Sequence, residues 1–135
     1  MSTDQQWHEI AVGQLLVFSS PVELTPASVA GIDSAVGEWH GDGLLVRTDY
    51  GLFVDPLTGY QNRSNRQEFE ESIDGQPVRG VAFDQADGSR FTAVHFYDLG
   101  RLGEAPKKLT FVVISSGGRT ADEALRITRS IRFRR

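Results

Sequence analysis

Three Asp-Gly pairs constrain this chain more than any other feature: Asp42-Gly43, Asp74-Gly75 and Asp87-Gly88. Each stands beside a run with strand character. Asp-Gly tolerates the positive backbone angles that tight hairpin turns require. The runs themselves are "LLVRTDY" after Asp42-Gly43, "QEFEESI" before Asp74-Gly75, and "VRGVAFD" and "FTAVHFYDL" on either side of Asp87-Gly88. In the first, Leu44, Val46, Thr48 and Tyr50 alternate with Leu45, Arg47 and Asp49, the period of a strand with one buried face. "FTAVHFYDL" places Phe91, Ala93, His95, Tyr97 and Leu99 on one face and Thr92, Val94, Phe96 and Asp98 on the other. Apolar residues on both faces predict a central strand there, and the same holds for "LTFVVIS". Pairing through such turns is mostly antiparallel.

The N-terminal bursts "WHEIAV" and "LLVFSS" flank Gly13-Gln14, which reads as a two-residue hairpin turn, and Pro21 and Pro26 close the region. Near the other end, Thr120 followed by Glu123 forms a capping-box pattern, in which the hydroxyl takes a backbone N–H and the carboxylate reaches back. Ala121, Ala124, Leu125 and Ile127 give a helical apolar face, and the charges suit the helix dipole: Asp122 and Glu123 first, arginines last. The helix covers about residues 120–130. "IRFR" then returns to period two, with Ile131 and Phe133 on one face.

No repeat, low-complexity tract or linker divides the 135 residues, which read as a single domain, 1–135. A hydrophobic content of 39% and a charged content of 24% are ordinary for a folded domain. The absence of cysteine excludes a disulfide framework, a thiolate metal site and a cysteine nucleophile. "MSTDQQWHEI" has neither the basic start nor the apolar run of a signal peptide, and no stretch suits a membrane span. The default expectation is cytoplasmic, or periplasmic or secreted if a signal peptide has been trimmed.

A net charge of −4 argues against a nucleic-acid partner. Residues 1–60 hold eight acidic groups against one basic group, Arg47, whereas arginines gather at the other end: Arg126, Arg129, Arg132, Arg134 and Arg135. Only Phe133 lies among these, too little for the stacking platform of a single-strand binder. A solvated helix face followed by a frayed tail is the expected reading, with an anionic partner at the C-terminal edge as the alternative.

The histidines are His8, His40 and His95. His95 sits in a central-strand pattern, which suits a hydrogen-bonded interior histidine, and His8 suits a strand at an edge. His40 has Glu38, Asp42 and Asp49 near it, but "EWHGD" matches no metal-ligand spacing, and neither HExxH nor a calcium-loop pattern occurs. No metal and no cofactor is expected. There is no G-x-S-x-G elbow for a serine nucleophile. "SSGGR", Ser115 to Arg119, precedes the helix and is the best phosphate-cradle candidate, but it ends as neither a P-loop nor a dinucleotide fingerprint, and a strand-to-helix turn explains it.

The segment "GIDSAVGEW" with the following "DYG" stays open between two readings. As structure, Asp33 and Ser34 cap a turn, Trp39 packs on a sheet edge, Gly51 breaks the strand as a bulge and Pro56 ends it. As a recognition surface, Asp33, Ser34, Glu38, Trp39, His40, Asp49 and Tyr50 form an acidic rim around an aromatic anchor.

The hairpin ending in "F..P", the sheet of long strands and the late "A..AL.I..SI.F" helix (Ala121, Ala124, Leu125, Ile127, Ser130, Ile131, Phe133) resemble the Mog1/PsbP-like fold. The "GIDSAVGEW…DYG" segment is similar to one in uncharacterised bacterial proteins, often secreted. The first resemblance implies an antiparallel sheet with packed helices, in a superfamily whose better-known members are accessory or binding proteins. Neither resemblance supplies catalytic residues. The expectation is therefore an α+β domain with an antiparallel sheet of six or seven strands and at least one helix. Its function is that of a non-catalytic binding or accessory module for a protein partner, a basic one by charge. The alternative is a small hydrolase using His40 or His95 with nearby carboxylates.

Overall fold

In the computed structural model, which describes residues 7–27, 34–51, 57, 62–99 and 107–134, two antiparallel sheets share one core. The larger contains β3 (Thr25–Ala27), β4 (Ser34–Gly41), β5 (Leu44–Gly51), β6 (Ser64–Ile73), β7 (Gln76–Asp84), β8 (Arg90–Phe96) and β9 (Lys108–Ser115). Their spatial order is β3-β4-β5-β9-β8-β7-β6. The smaller sheet is β1 (His8–Val12), β2 (Leu16–Ser20) and β10 (Arg132–Phe133), in the order β1-β2-β10. The helix α1 spans Ala121–Arg129. The α+β class and the antiparallel pairing follow the sequence pattern. The first hairpin does not extend the large sheet, however. It pairs with the chain's end and lies across one face.

The Asp-Gly pairs turn the chain in two different ways. Gly41 pairs with Leu44 and Ile73 with Gln76, so Asp42-Gly43 and Asp74-Gly75 are two-residue turns. Asp74 and Gly75 both have positive φ, at 51° and 76°, the geometry whose twist matches paired strands. The third pair lies inside a five-residue loop, because Asp84 pairs with Arg90. There Asp87 Oδ1 accepts the Ser89 amide and hydroxyl. The first hairpin closes between Val12 and Leu16, a three-residue turn rather than two.

Period two decides what enters the core. Leu44 and Val46 on β5, Leu109, Phe111 and Val113 on β9, and Val94 and Phe96 on β8 all face the small sheet and α1. Leu16 and Phe18 meet them from β2, and Ile131 and Phe133 from the end of the chain. Phe18 joins the layers, its ring edge-on to Phe111 at 5.0 Å and to Trp39 at 5.7 Å. Each such side chain, once buried, contributes about 1.5–3 kcal/mol.

Helix α1 buries Ala124, Ile127 and Thr128, whereas Ala121 is exposed and Leu125 half-buried. The expected stripe is thus rotated toward Thr128, whose hydroxyl is satisfied by the Leu125 carbonyl. Leu99 also departs from its expected face. β8 ends at Phe96, and three residues later Leu99 enters the main core. Pro26 lies inside β3, which is tolerable because β3 is an edge strand.

Three long-range contacts tie the chain's end to the β6–β7 hairpin and to Trp7, just before β1. Asp74 Oδ2 accepts the Phe133 amide at 2.8 Å, Arg129 Nε donates to Glu71 at 2.9 Å, and the Arg126 guanidinium lies 4.0 Å from the Trp7 ring centroid. Of the terminal arginines, Arg126 and Arg129 are therefore engaged within the fold, although both stay exposed.

Candidate functional site

The segment "SAVGEWHG" is strand β4, paired residue for residue with β5 from Ser34↔Gly51 to Gly41↔Leu44. It is neither a loop nor a turn. Gly51 ends β5 in regular register opposite Lys108, with no bulge. Asp33 and Pro56 lie outside the described residues, as does the side chain of Ser34.

Strand alternation splits the proposed recognition set between two faces. Trp39 points into the core and is 9% exposed; it is not available as a surface anchor. Tyr50 packs against the same core, with Lys107 Nζ 5.5 Å from its ring centroid. Glu38, His40 and Asp49 point the other way, toward the face that the small sheet and helix do not cover.

Register builds that second face in rows across the strands. One row runs His40–Leu45–Ile114–Phe91–Phe83, and the next Glu38–Arg47–Val112–Ala93–Val81. The third is polar: Asp49, Thr110, His95, Arg79 and Glu70, one from each of five adjacent strands. Leu57 packs on the outer part of this surface with Val81, Phe83, Phe91 and Ala93. Over β5 and β9 a concavity of about 210 Å³ remains, lined by Leu45, Arg47, Asp49, Phe91, Thr110, Val112 and Ile114.

The polar groups around it are fixed unequally. Arg47 donates to Glu38 Oε1 through Nη2 at 2.6 Å and Nε at 3.1 Å, and His40 Nε2 donates to Glu38 Oε2 at 2.8 Å. The hydrogen bond from His40, then those from Arg47, hold the Glu38 carboxyl below its ordinary pKa. Its charge is thus answered locally, and the acidic rim expected here is reduced. Asp49 differs: its Oδ1 is buried without a hydrogen-bond partner, an arrangement that costs free energy unless something donates to it.

His95 is 1% exposed, and its Nδ1 shares a 2.8 Å hydrogen bond with Thr110 Oγ1. It is the interior histidine that its strand pattern suggested. His8 is exposed on β1, the edge of the small sheet. "SSGGR" is a connecting turn: the Ser116 amide donates to Gly43 O, and Arg119 Nε to Asp42 O. The Arg119 guanidinium also faces Asp42 and Glu123 at 3.6 and 3.4 Å, so carboxylates hold the cation a phosphate would need. Among the described residues no three His, Asp or Glu side chains converge as a metal site, and no helix is long and apolar enough to cross a membrane.

Of the lining residues sequence reading named only Asp49; it missed Leu45 and Arg47 on the same strand, Phe91 on β8, and Thr110, Val112 and Ile114 on β9. No local motif marks the last four; only the pairing of β9 with β5 and with β8 brings them beside Asp49. Comparison with protein-family models, curated proteins and solved structures gives no match to this chain.

Proposed function

We propose that this protein is a non-catalytic binding module that receives its partner on the second face of the large sheet, over β5 and β9. The observation that carries this reading is the concavity of about 210 Å³. Its floor is apolar, with Leu45, Val112 and Ile114 half-buried and Phe91 buried, and Asp49 and Arg47 line its side. A partner presenting an apolar group beside a basic one complements this floor and the Asp49 carboxylate, since Arg47 is held by Glu38, which keeps the preference for a basic partner but moves it from the Glu38 rim to Asp49. Support for a hydrolase is thinner. His95 is enclosed, and the carboxylate that orients His40 also serves Arg47. The Mog1/PsbP-like kinship belongs to the same proposal, supported by the antiparallel sheet, the initial hairpin and the late helix packed together.

Val112 is half-buried in the floor, so Val112→Glu places a charge there without opening the main core. Immobilised wild-type protein should retain a partner from a lysate of the source organism, and Val112→Glu should lose it. A control change in the exposed first turn, Gln14→Glu, should retain it. Equal retention by all three, or turnover of ester substrates that disappears in His40→Ala, would overturn the proposal.

A further inference from the structure

We infer that the Asp42-Gly43 turn is a site of isoaspartate formation, and that the fold protects the other two Asp-Gly pairs from the same reaction. The reaction needs no reagent but water. The Gly43 amide nitrogen attacks Asp42 Cγ, an N–Cγ bond forms, and the amide proton and the carboxyl hydroxyl leave as water. A second water then opens the succinimide ring at either carbonyl. Opening at Cγ restores aspartate. Opening at the Asp42 backbone carbonyl breaks its bond to the Gly43 nitrogen and leaves the chain running through Cβ and Cγ, with a free α-carboxylate. Glycine favours the attack because no side chain shields its nitrogen.

The attack needs a carboxyl free to turn, a proton on it so that its hydroxyl can leave, and an amide not already bonded elsewhere. Asp87 is hindered on every count. Its Oδ1 accepts the Ser89 hydroxyl at 2.6 Å and the Ser89 amide at 2.9 Å. Those bonds, the hydroxyl's first, hold the carboxyl below its ordinary pKa and so keep it ionised. The Gly88 amide donates to Gln85 O at 3.0 Å. At Asp74 the carboxyl is held, because Oδ2 accepts the Phe133 amide at 2.8 Å. Asp42 differs. Its side chain is 93% exposed, and its contact with Arg119 Nη2, at 3.6 Å, is too long for a hydrogen bond. Among the described residues the Gly43 amide has no acceptor. Both carbonyls of the turn are anchored to the 116–119 turn: Asp42 O accepts Arg119 Nε and Gly43 O accepts the Ser116 amide, each at 2.9 Å. The rearrangement inserts a backbone carbon between these anchors, so the product disturbs the contact between the two turns.

The test incubates wild-type protein in warm, mildly acidic buffer, one sample folded and one unfolded in urea. Cleavage after Glu, Lys and Arg then releases the three pairs in separate peptides, 39–47, 72–79 and 80–90. Chromatography resolves each isoaspartyl peptide from its aspartyl parent of equal mass. In the folded sample isoaspartate should accumulate in 39–47 at least about tenfold faster than in the other two, since breaking a hydrogen bond to a charged group first corresponds to roughly that factor. In urea the three rates should converge, because the fold no longer distinguishes the pairs. Equal rates in the folded sample, or a faster rate in 72–79 or 80–90, would overturn the inference. So would a folded 39–47 without isoaspartate when the unfolded chain forms it there. The same tenfold preference in urea would also overturn it, because neighbouring sequence rather than the fold would then select Asp42.

Discussion

Gly37 and Trp39 share the core face of β4, and a Cβ added to Gly37 would stand 2.6 Å from Trp39 Cη2 and 2.9 Å from Thr48 Oγ1. The indole lies flat along its own strand because Gly37 offers no side chain. Its six-membered ring occupies the space over that glycine, and its edge meets Phe18. Two substitutions test this. Trp39→Ala should cost about 3–5 kcal/mol by leaving a cavity. Gly37→Ala should cost about 1–3 kcal/mol by overpacking. Urea melts of both variants against wild type measure them, and an unchanged midpoint for Trp39→Ala would place the indole outside the core.

The start of α1 carries a smaller, separable contribution. Thr120 is extended, at φ −99° and ψ 157°, and its hydroxyl accepts the Glu123 amide at 3.1 Å. The other half of the expected box is redirected: the Glu123 carboxylate faces Arg119 Nη1 at 3.4 Å. Thr120→Ala should therefore cost about 0.5–2 kcal/mol. Glu123→Gln should cost less, because it removes only a partly exposed ion pair. Thermal melts of the two variants rank them, and the reverse order would mean that the carboxylate does the capping.

Local pattern made most of the elements legible. Alternation marked β5, β8 and β9, capping chemistry marked α1, and two Asp-Gly pairs marked the tight turns that they form. What a local pattern cannot show is which strand lies beside which. β5 pairs with β9 across more than fifty residues of chain, so the row from Asp49 through Thr110 to His95 has no signature in any window of sequence. Trp39 illustrates the second limit. Between Gly, Glu and His it looks like an exposed aromatic, yet position parity on β4, fixed by the pairing Trp39↔Val46, sends it into the core. Asp33 and Ser34, which the sequence put first in the same segment, fall outside the described residues or have no described side chain.

Two glycines in tight turns should respond differently to the same change. Gly43 and Gly75 have similar φ, 71° and 76°, so alanine at either meets the left-handed penalty of about 1–2 kcal/mol. Their surroundings differ. A Cβ at Gly75 meets nothing within 4 Å, whereas one at Gly43 would lie 2.7 Å from the Ser116 carbonyl oxygen. That oxygen belongs to the backbone and is held in place, because it accepts the Arg119 amide at 3.2 Å while the Ser116 amide donates to Gly43 O at 2.9 Å. Gly43→Ala should thus lose clearly more stability than Gly75→Ala in denaturant melts. Equal losses would mean that the 116–119 turn shifts freely.

The carboxylates Glu38 and Asp84 should set part of the protein's acid sensitivity. Asp84 lies below its ordinary pKa through hydrogen bonds first from Asn65, then from Arg90, and Glu38 through those from His40, then Arg47. Both groups release their protons more readily folded than unfolded. The unfolded chain therefore binds more protons through the acid range, and stability rises with pH there. The contribution is fully present above the unfolded values, about 3.9 for Asp and 4.3 for Glu, and is lost as pH falls through the lower folded ones. Asp84→Asn and Glu38→Gln remove this dependence with little change of shape. Midpoint temperatures measured from pH 7 down to pH 2.5 should fall more steeply for wild type below about pH 4 than for the double variant, with the two curves converging at the acid end. Parallel curves throughout would mean that Asn65, Arg90, His40 and Arg47 do not favour the ionised carboxylates in the folded protein.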